Sequence, residues 1–165
     1  MSKGIIIAGF ATVGKTFLSK KYKNIIDFKS SPYKYDYSSY ENIDYEKLKG
    51  TSGRKENKEW PYNYYNVIKE KQNYYDIVFV QLNLQHLEYF DNNNIEYYIA
   101  YPALDSWEWV KQRSINRGNN EKWIKRLEEV FEEYYIASKK SKCKEIFIVN
   151  EQTSLEDILK KKEFI

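Results

Sequence analysis

The eight residues Gly9-Phe10-Ala11-Thr12-Val13-Gly14-Lys15-Thr16 satisfy the pattern G-x-x-x-x-G-K-[ST] at every fixed position. This pattern constrains fold and chemistry together. Its two glycines let the backbone turn until successive N–H groups face one point, where they attract an anion. A helix beginning near Lys15 adds the partial positive charge of its N-terminus at the same place. In such a loop Lys15 reaches the β- and γ-phosphates of a nucleoside triphosphate, and the Thr16 hydroxyl coordinates Mg²⁺. Residues 9–16, with Phe10, Ala11, Thr12 and Val13 between the glycines, are therefore the expected site for ATP and Mg²⁺.

The motif requires a strand before it and a helix after it. Ile5-Ile6-Ile7-Ala8 is β-branched and bounded by glycines, so it reads as a buried strand; residues 15 to about 23 read as the helix. Further short apolar runs at 25–28, 77–80, 95–101 and 146–149 predict four more strands. Helices are expected from Pro61 to about residue 71, around Leu84, Leu87 and Phe90, and from Asp105 to about 117. In that last helix Asp105 and Glu108 have capping-box spacing. Another helix should carry Trp123, Ile124, Leu127, Val130, Phe131, Tyr134 and Tyr135 on one apolar stripe, and a final helix should be capped by Thr153 with Glu156. Strands alternating with helices predict an α/β fold with a parallel sheet covered on both faces.

At 165 residues the chain suits a single domain spanning 1–165, without an internal repeat or linker. No apolar run approaches a membrane span, and the first residues make too short an apolar stretch for a signal peptide. One cysteine, Cys143, fits a reducing, cytoplasmic setting. A net charge of +3 argues against nucleic acid as the main partner. The 17 Tyr, like the abundant Lys, Asn and Ile, follow from an AT-rich codon bias. That bias makes the four arginines, Arg54, Arg113, Arg117 and Arg126, the more informative residues.

From the loop and the order of elements, the chain resembles the small P-loop kinases, the nucleoside monophosphate kinase group and its adenylate-kinase-like relatives, and more loosely their short phage-encoded members. The resemblance implies a P-loop NTPase three-layer sandwich whose five-stranded parallel sheet has the order 2-3-1-4-5. It also implies an acceptor-binding insertion, here about 32–73, and an Arg-rich lid after strand four, here about 113–122. The chain departs from a usual Walker-B strand: its third strand ends Phe79-Val80-Gln81 where an acid is expected. In small kinases that acid can come from the end of the second strand, which places Asp27 beside Mg²⁺-bound water or the acceptor.

Phosphoryl transfer needs cations on the migrating group, and arginine offers a planar fork that lysine lacks. Arg113 and Arg117, four residues apart, should share a helix face with Gly118 as the hinge behind them. Arg126 and, in the insertion, Arg54 are further candidates for an acceptor phosphate. Tyr33, Tyr35, Tyr37, Tyr40, Trp60, Tyr64 and Tyr65 crowd the insertion, where some could stack on a base. Gln81 and Asn83 fall in the crevice beyond the third strand, where an amide can read a base edge. His86 reads as structural, and Cys143 carries no chemistry. The expected activity is ATP-dependent transfer to a small-molecule acceptor, a nucleoside monophosphate. The variants of it are a nucleoside or small-metabolite kinase, or a protein that binds and sequesters nucleotides without turnover. The acidic-Arg pair of deoxynucleoside kinases is absent, as are the Asp-x-x-Gly and Asn-Lys-x-Asp motifs of GTPases. No signature of an oligomeric state is present.

Overall fold

The computed structural model describes residues 3–36 and 55–165. Five strands, β1 (Ile5–Gly9), β2 (Ile25–Asp27), β3 (Ile77–Gln81), β4 (Tyr98–Pro102) and β5 (Ile146–Val149), form one sheet in the order β2-β3-β1-β4-β5. Every pairing is parallel. Seven helices flank the sheet among the described residues: α1 (Lys15–Lys21), α2 (Ser31–Lys34), α3 (Tyr62–Lys71), α4 (Leu84–Asn92), α5 (Trp107–Asn116), α6 (Glu121–Lys140) and α7 (Leu155–Lys161). None of them is long and apolar enough to cross a membrane. The α/β class and the strand order agree with expectation.

The apolar runs explain the layering. β3 buries Ile77, Val78, Phe79 and Val80 consecutively, and β1 buries Ile6, Ile7 and Ala8, which requires cover on both faces. Register then decides where the strands end. Gly9 lies beside Gln81, and Asp27 beside Phe79, so the carboxyl ends of β1, β3 and β2 open on one edge of the sheet.

Half of the described aromatic residues of the 32–73 segment go inward. Trp60, Tyr64 and Tyr65 are buried. Tyr64 stacks on Phe28 at 4.9 Å and donates its hydroxyl to the Phe28 carbonyl; Tyr33 meets both rings edge-on or tilted. Tyr65 stacks on Tyr89 of α4 at 3.9 Å, a pairing that adds about 0.5–1.5 kcal/mol beyond area burial. These rings fasten α3 to the end of β2 and to α4, so of the rings expected to include base-stacking ones Trp60, Tyr64 and Tyr65 are spent on packing, while Tyr33 is half-buried. Tyr37, Tyr40 and Arg54 lie outside the described residues.

Three boundaries differ from the sequence reading. β4 begins at Tyr98 rather than at 95, because Asn94 turns to φ 53° and the Ile95 N–H still reaches back to Phe90 O at 3.0 Å. α5 starts at Trp107 after a 3₁₀ turn at Leu104–Ser106 and has no side-chain cap, so the Asp105/Glu108 box does not form. The tight turn arises where Ser106 N–H bonds Ala103 O at 2.9 Å. In α7 the capping box is Ser154 with Asp157, one residue beyond Thr153 and Glu156. Asn150 holds Thr153 through two bonds, accepting its N–H on Oδ1 at 2.8 Å and donating to its carbonyl at 3.0 Å.

Glu156, released from capping, ties α7 to α1. It accepts from Lys21 Nζ at 2.6 Å, Tyr22 Oη at 2.8 Å and Lys160 Nζ at 3.1 Å. Those donors, Lys21 first, hold its carboxyl down at about 2, against an ordinary value of 4.5. A depressed carboxylate stabilises the fold fully above the unfolded value and loses that contribution as pH falls toward the folded one. Glu156→Gln should therefore lower the melting temperature at pH 7, and the gap from the unsubstituted protein should close as pH is taken from 4.5 toward 2, followed by circular dichroism.

Candidate functional site

The loop between β1 and α1 turns as the two-glycine pattern requires. Gly14 has φ 107° and Thr12 φ 70°, both in the left-handed region, with an ordinary helix following from Lys15. For Thr12, a β-branched residue, this is an uncommon and costly conformation. Its hydroxyl is buried with no hydrogen-bond partner, so the loop stores unsatisfied polarity as well as strain. Gly9 is needed for close approach: a Cβ there would lie 2.9 Å from Lys15 Cδ and 3.0 Å from Val13 Cγ2. Lys15 curls over the loop, donating from Nζ to Gly9 O at 2.8 Å and to Phe10 O at 3.0 Å.

Thr16, in the first turn of α1, donates its hydroxyl to Asp27 Oδ2 at 2.8 Å. This contact spans the end of β3, which separates β1 from β2. Ser30, buried just beyond β2, donates to Gln81 Oε1 at 3.2 Å and so closes the same edge. Below Gln81 lies His86, fully buried between Trp60, Tyr64, Tyr65 and Phe90. Burial, opposed by the bond to Gln81 and aided by Lys34, lowers its pKa to about 4, so the ring is neutral. Its Nδ1 sits 2.8 Å from Gln81 O, and a carbonyl only accepts, so Nδ1 carries the proton. The structural role expected of His86 is what it performs.

These groups line a cleft of about 250 Å³. Phe10 and Ala11 come from the loop, Lys15 and Thr16 from the first turn of α1, Asp27 from the end of β2, Lys29, Ser30 and Ser31 from the residues after it, and Gln81 and Leu82 from the end of β3 and just beyond. The far wall is Arg117 and five residues of α6. Arg117 is the C-cap of α5, Gly118 turns the chain with φ 85°, and Asn120 caps α6 by accepting the Trp123 N–H at 2.8 Å.

The other expected residues fall differently. Gly9, Thr12, Val13 and Gly14 shape the loop from behind; Thr12 and Val13 are buried. Arg113 and Arg117 do not act as a pair at the cleft: Arg113 stacks over Trp109 at 4.8 Å, and only Arg117 is among the lining residues. Burial and then the neighbouring Arg117 charge lower the Arg113 pKa. Arg126 does line the cleft. Asn83 caps α4, accepting the His86 N–H at 2.8 Å, and Tyr33 packs on Phe28; neither lines the cleft. Sequence reasoning missed Lys29, Ser31, Trp123, Leu127, Val130 and Tyr134. A stripe of apolar positions on a 20-residue helix was the available signal for the α6 residues.

The donor set suits a polyphosphate with a hard divalent cation. Asp27 and Thr16 supply adjacent oxygens, and no group of three His, Cys, Asp or Glu side chains able to hold a metal occurs among the described residues. An ion here would take its other ligands from phosphate and water, as Mg²⁺ commonly does. No protein-family model matches this chain, and none of the curated proteins is significantly similar to it.

Gly9→Ala tests the cradle directly. The added Cβ meets the side chains of Lys15 and the buried Val13 rather than backbone, so the strain falls on the loop itself. The variant should fold normally yet bind inorganic pyrophosphate with Mg²⁺ about tenfold more weakly, the worth of one hydrogen bond to a charged group, as measured by isothermal titration calorimetry.

Proposed function

We propose that this protein is a small P-loop phosphotransferase, moving the γ-phosphoryl group of ATP to a small acceptor, a nucleoside monophosphate. The observation that carries the reading is the 2.8 Å contact between Thr16 Oγ1 and Asp27 Oδ2. It joins the phosphate loop to an acid at the edge where the third strand lacks one, within a cleft that Arg117 and Arg126 also line. Thr16 and Asp27 would hold Mg²⁺, which when bound would supply positive charge against the phosphates.

The chain's own residues divide the remaining work. Loop N–H groups and the α1 N-terminus hold the β- and γ-phosphates. Lys15, released from Gly9 O and Phe10 O, follows the γ-phosphoryl group with its charge. Asp27 keeps Thr16 in place through their hydrogen bond and would help hold the metal. Arg117 and Arg126 offer planar forks to the acceptor and to the oxygens that gain charge in transfer. An acceptor oxygen attacks the γ-phosphorus, the bond to the β–γ bridging oxygen breaks, and ADP departs with that electron pair.

Gln81 at the end of β3 favours one competing reading, a protein that binds nucleotides without turning them over. Incubation with ATP, Mg²⁺ and a panel of nucleoside monophosphates separates the two. Turnover should appear with at least one acceptor and fall on the order of a hundredfold or more in Lys15→Ala. Consumption of ATP equal in both proteins refutes the transferase reading, and stoichiometric binding without turnover establishes the competing one.

A further inference from the structure

The apolar part of one wall of the cleft has no role in the reading above. α6 presents Trp123, Leu127, Val130 and Tyr134 there, at intervals of four, three and four residues. They form one stripe roughly 16 Å long at 1.5 Å per residue. All four are half-buried, whereas Ile124 and Phe131 on the adjoining face are buried. Leu127, Val130 and Tyr134 pack against the core as well as lining the cleft, so the stripe is one broad apolar face whose outer edge reaches the cleft. Arg126 shares the cleft face, three residues after Trp123, and its charge acts on Tyr134.

Among the described residues, Lys15, Lys29, Arg117, Arg126 and Asp27 are the charged groups that line the cleft. A triphosphate on the loop engages Lys15, which leaves Arg117 and Arg126 beside the apolar stripe with an anion still to be matched. The described aromatic rings of the 32–73 segment that are fully buried, Trp60, Tyr64 and Tyr65, are packed on one another and on α4. A flat apolar surface beside two guanidinium groups occurs instead on α6. The volume of about 250 Å³ suits one small ligand.

Resting on the phosphotransferase reading, we propose that α6 is the acceptor-recognition element. Its ligand is a phosphate monoester bearing an aromatic ring, with Trp123 and Leu127 packing on the ring and Arg126 and Arg117 pairing with the phosphate. Recognition of the acceptor thus lies C-terminal to the lid turn, away from the described aromatics of the 32–73 segment.

Calorimetric titration with the five common nucleoside monophosphates, ribose 5-phosphate and a non-hydrolysable ATP analogue tests this without requiring turnover. The best nucleotide should bind about tenfold tighter than ribose 5-phosphate, the worth of one stacked base. Trp123→Ala should abolish that advantage, Trp123→Phe should keep most of it, and the ATP analogue should bind unchanged in both. Arg126→Ala should weaken the nucleotide more than the matching nucleoside. Equal binding of ribose 5-phosphate and nucleotides by the unsubstituted protein overturns the proposal. So does a Trp123→Ala loss that is the same for both, or that falls on the ATP analogue. If Trp123→Ala is unfolded by circular dichroism, Trp123→Phe and Arg126→Ala decide it: loss of the ring preference in the first, or equal loss of nucleotide and nucleoside in the second, overturns it. Turnover of ring-free acceptors would refute this inference and leave the transferase intact. Ring-dependent binding without turnover would do the reverse.

Discussion

The bond from Thr16 to Asp27 is the constraint on which the site depends. In the order β2-β3-β1, the strand that precedes the loop and the strand that ends in Asp27 are not neighbours. Adjacent strands lie about 4.8 Å apart, so β1 and β2 are separated by roughly twice that distance. Only a loop that crosses the end of β3 and delivers the first turn of α1 beyond it brings the two together. Gln81 at that end is a neutral side chain, held by Ser30, over which the crossing is made. A carboxylate in its place would add a second negative charge beside Asp27. The acid at the end of β2 and the neutral amide at the end of β3 are thus two sides of one arrangement.

Anchoring behind the site is largely aromatic. His86 stays neutral among four aromatic residues and holds the Gln81 carbonyl from below, while Asn83 caps α4 and faces the other ring nitrogen at 3.4 Å. The same cluster takes Trp60, Tyr64 and Tyr65 out of solvent. On the other side of the sheet's centre, Tyr101 donates to the Phe131 carbonyl and packs against Phe10, which links α6 to the start of the loop. Movement of α6 therefore bears on the loop through Phe10, whose ring also contacts Phe131 at 5.5 Å.

The loop, the five strands and the long helices were legible because each has a local signature: a spaced glycine pattern, a β-branched run or a stripe of period 3.6. Capping was legible only to within a residue, since the choice between Thr153 and Ser154 is made by Asn150 through backbone bonds that no propensity encodes. Spacing placed Arg113 with Arg117, but Trp109 lies closer to Arg113 in the fold and takes its guanidinium. Spacing predicts one apolar stripe on α6, and nothing in that spacing tells that Leu127 and Val130 reach the cleft as well as the core. Tyrosines that were abundant through codon usage still had to be placed, and the fold placed the described ones of the 32–73 segment mainly against one another.

If the proposed function holds, the amides of residues 11–16 form one phosphate cradle facing the α5–α6 turn. Hydrogen–deuterium exchange with and without a non-hydrolysable ATP analogue and Mg²⁺ reads those amides one by one. Strong added protection is expected across residues 11–16, with a second protected stretch at 117–126. Protection confined to other elements, with the loop amides exchanging as in the ligand-free protein, would contradict it.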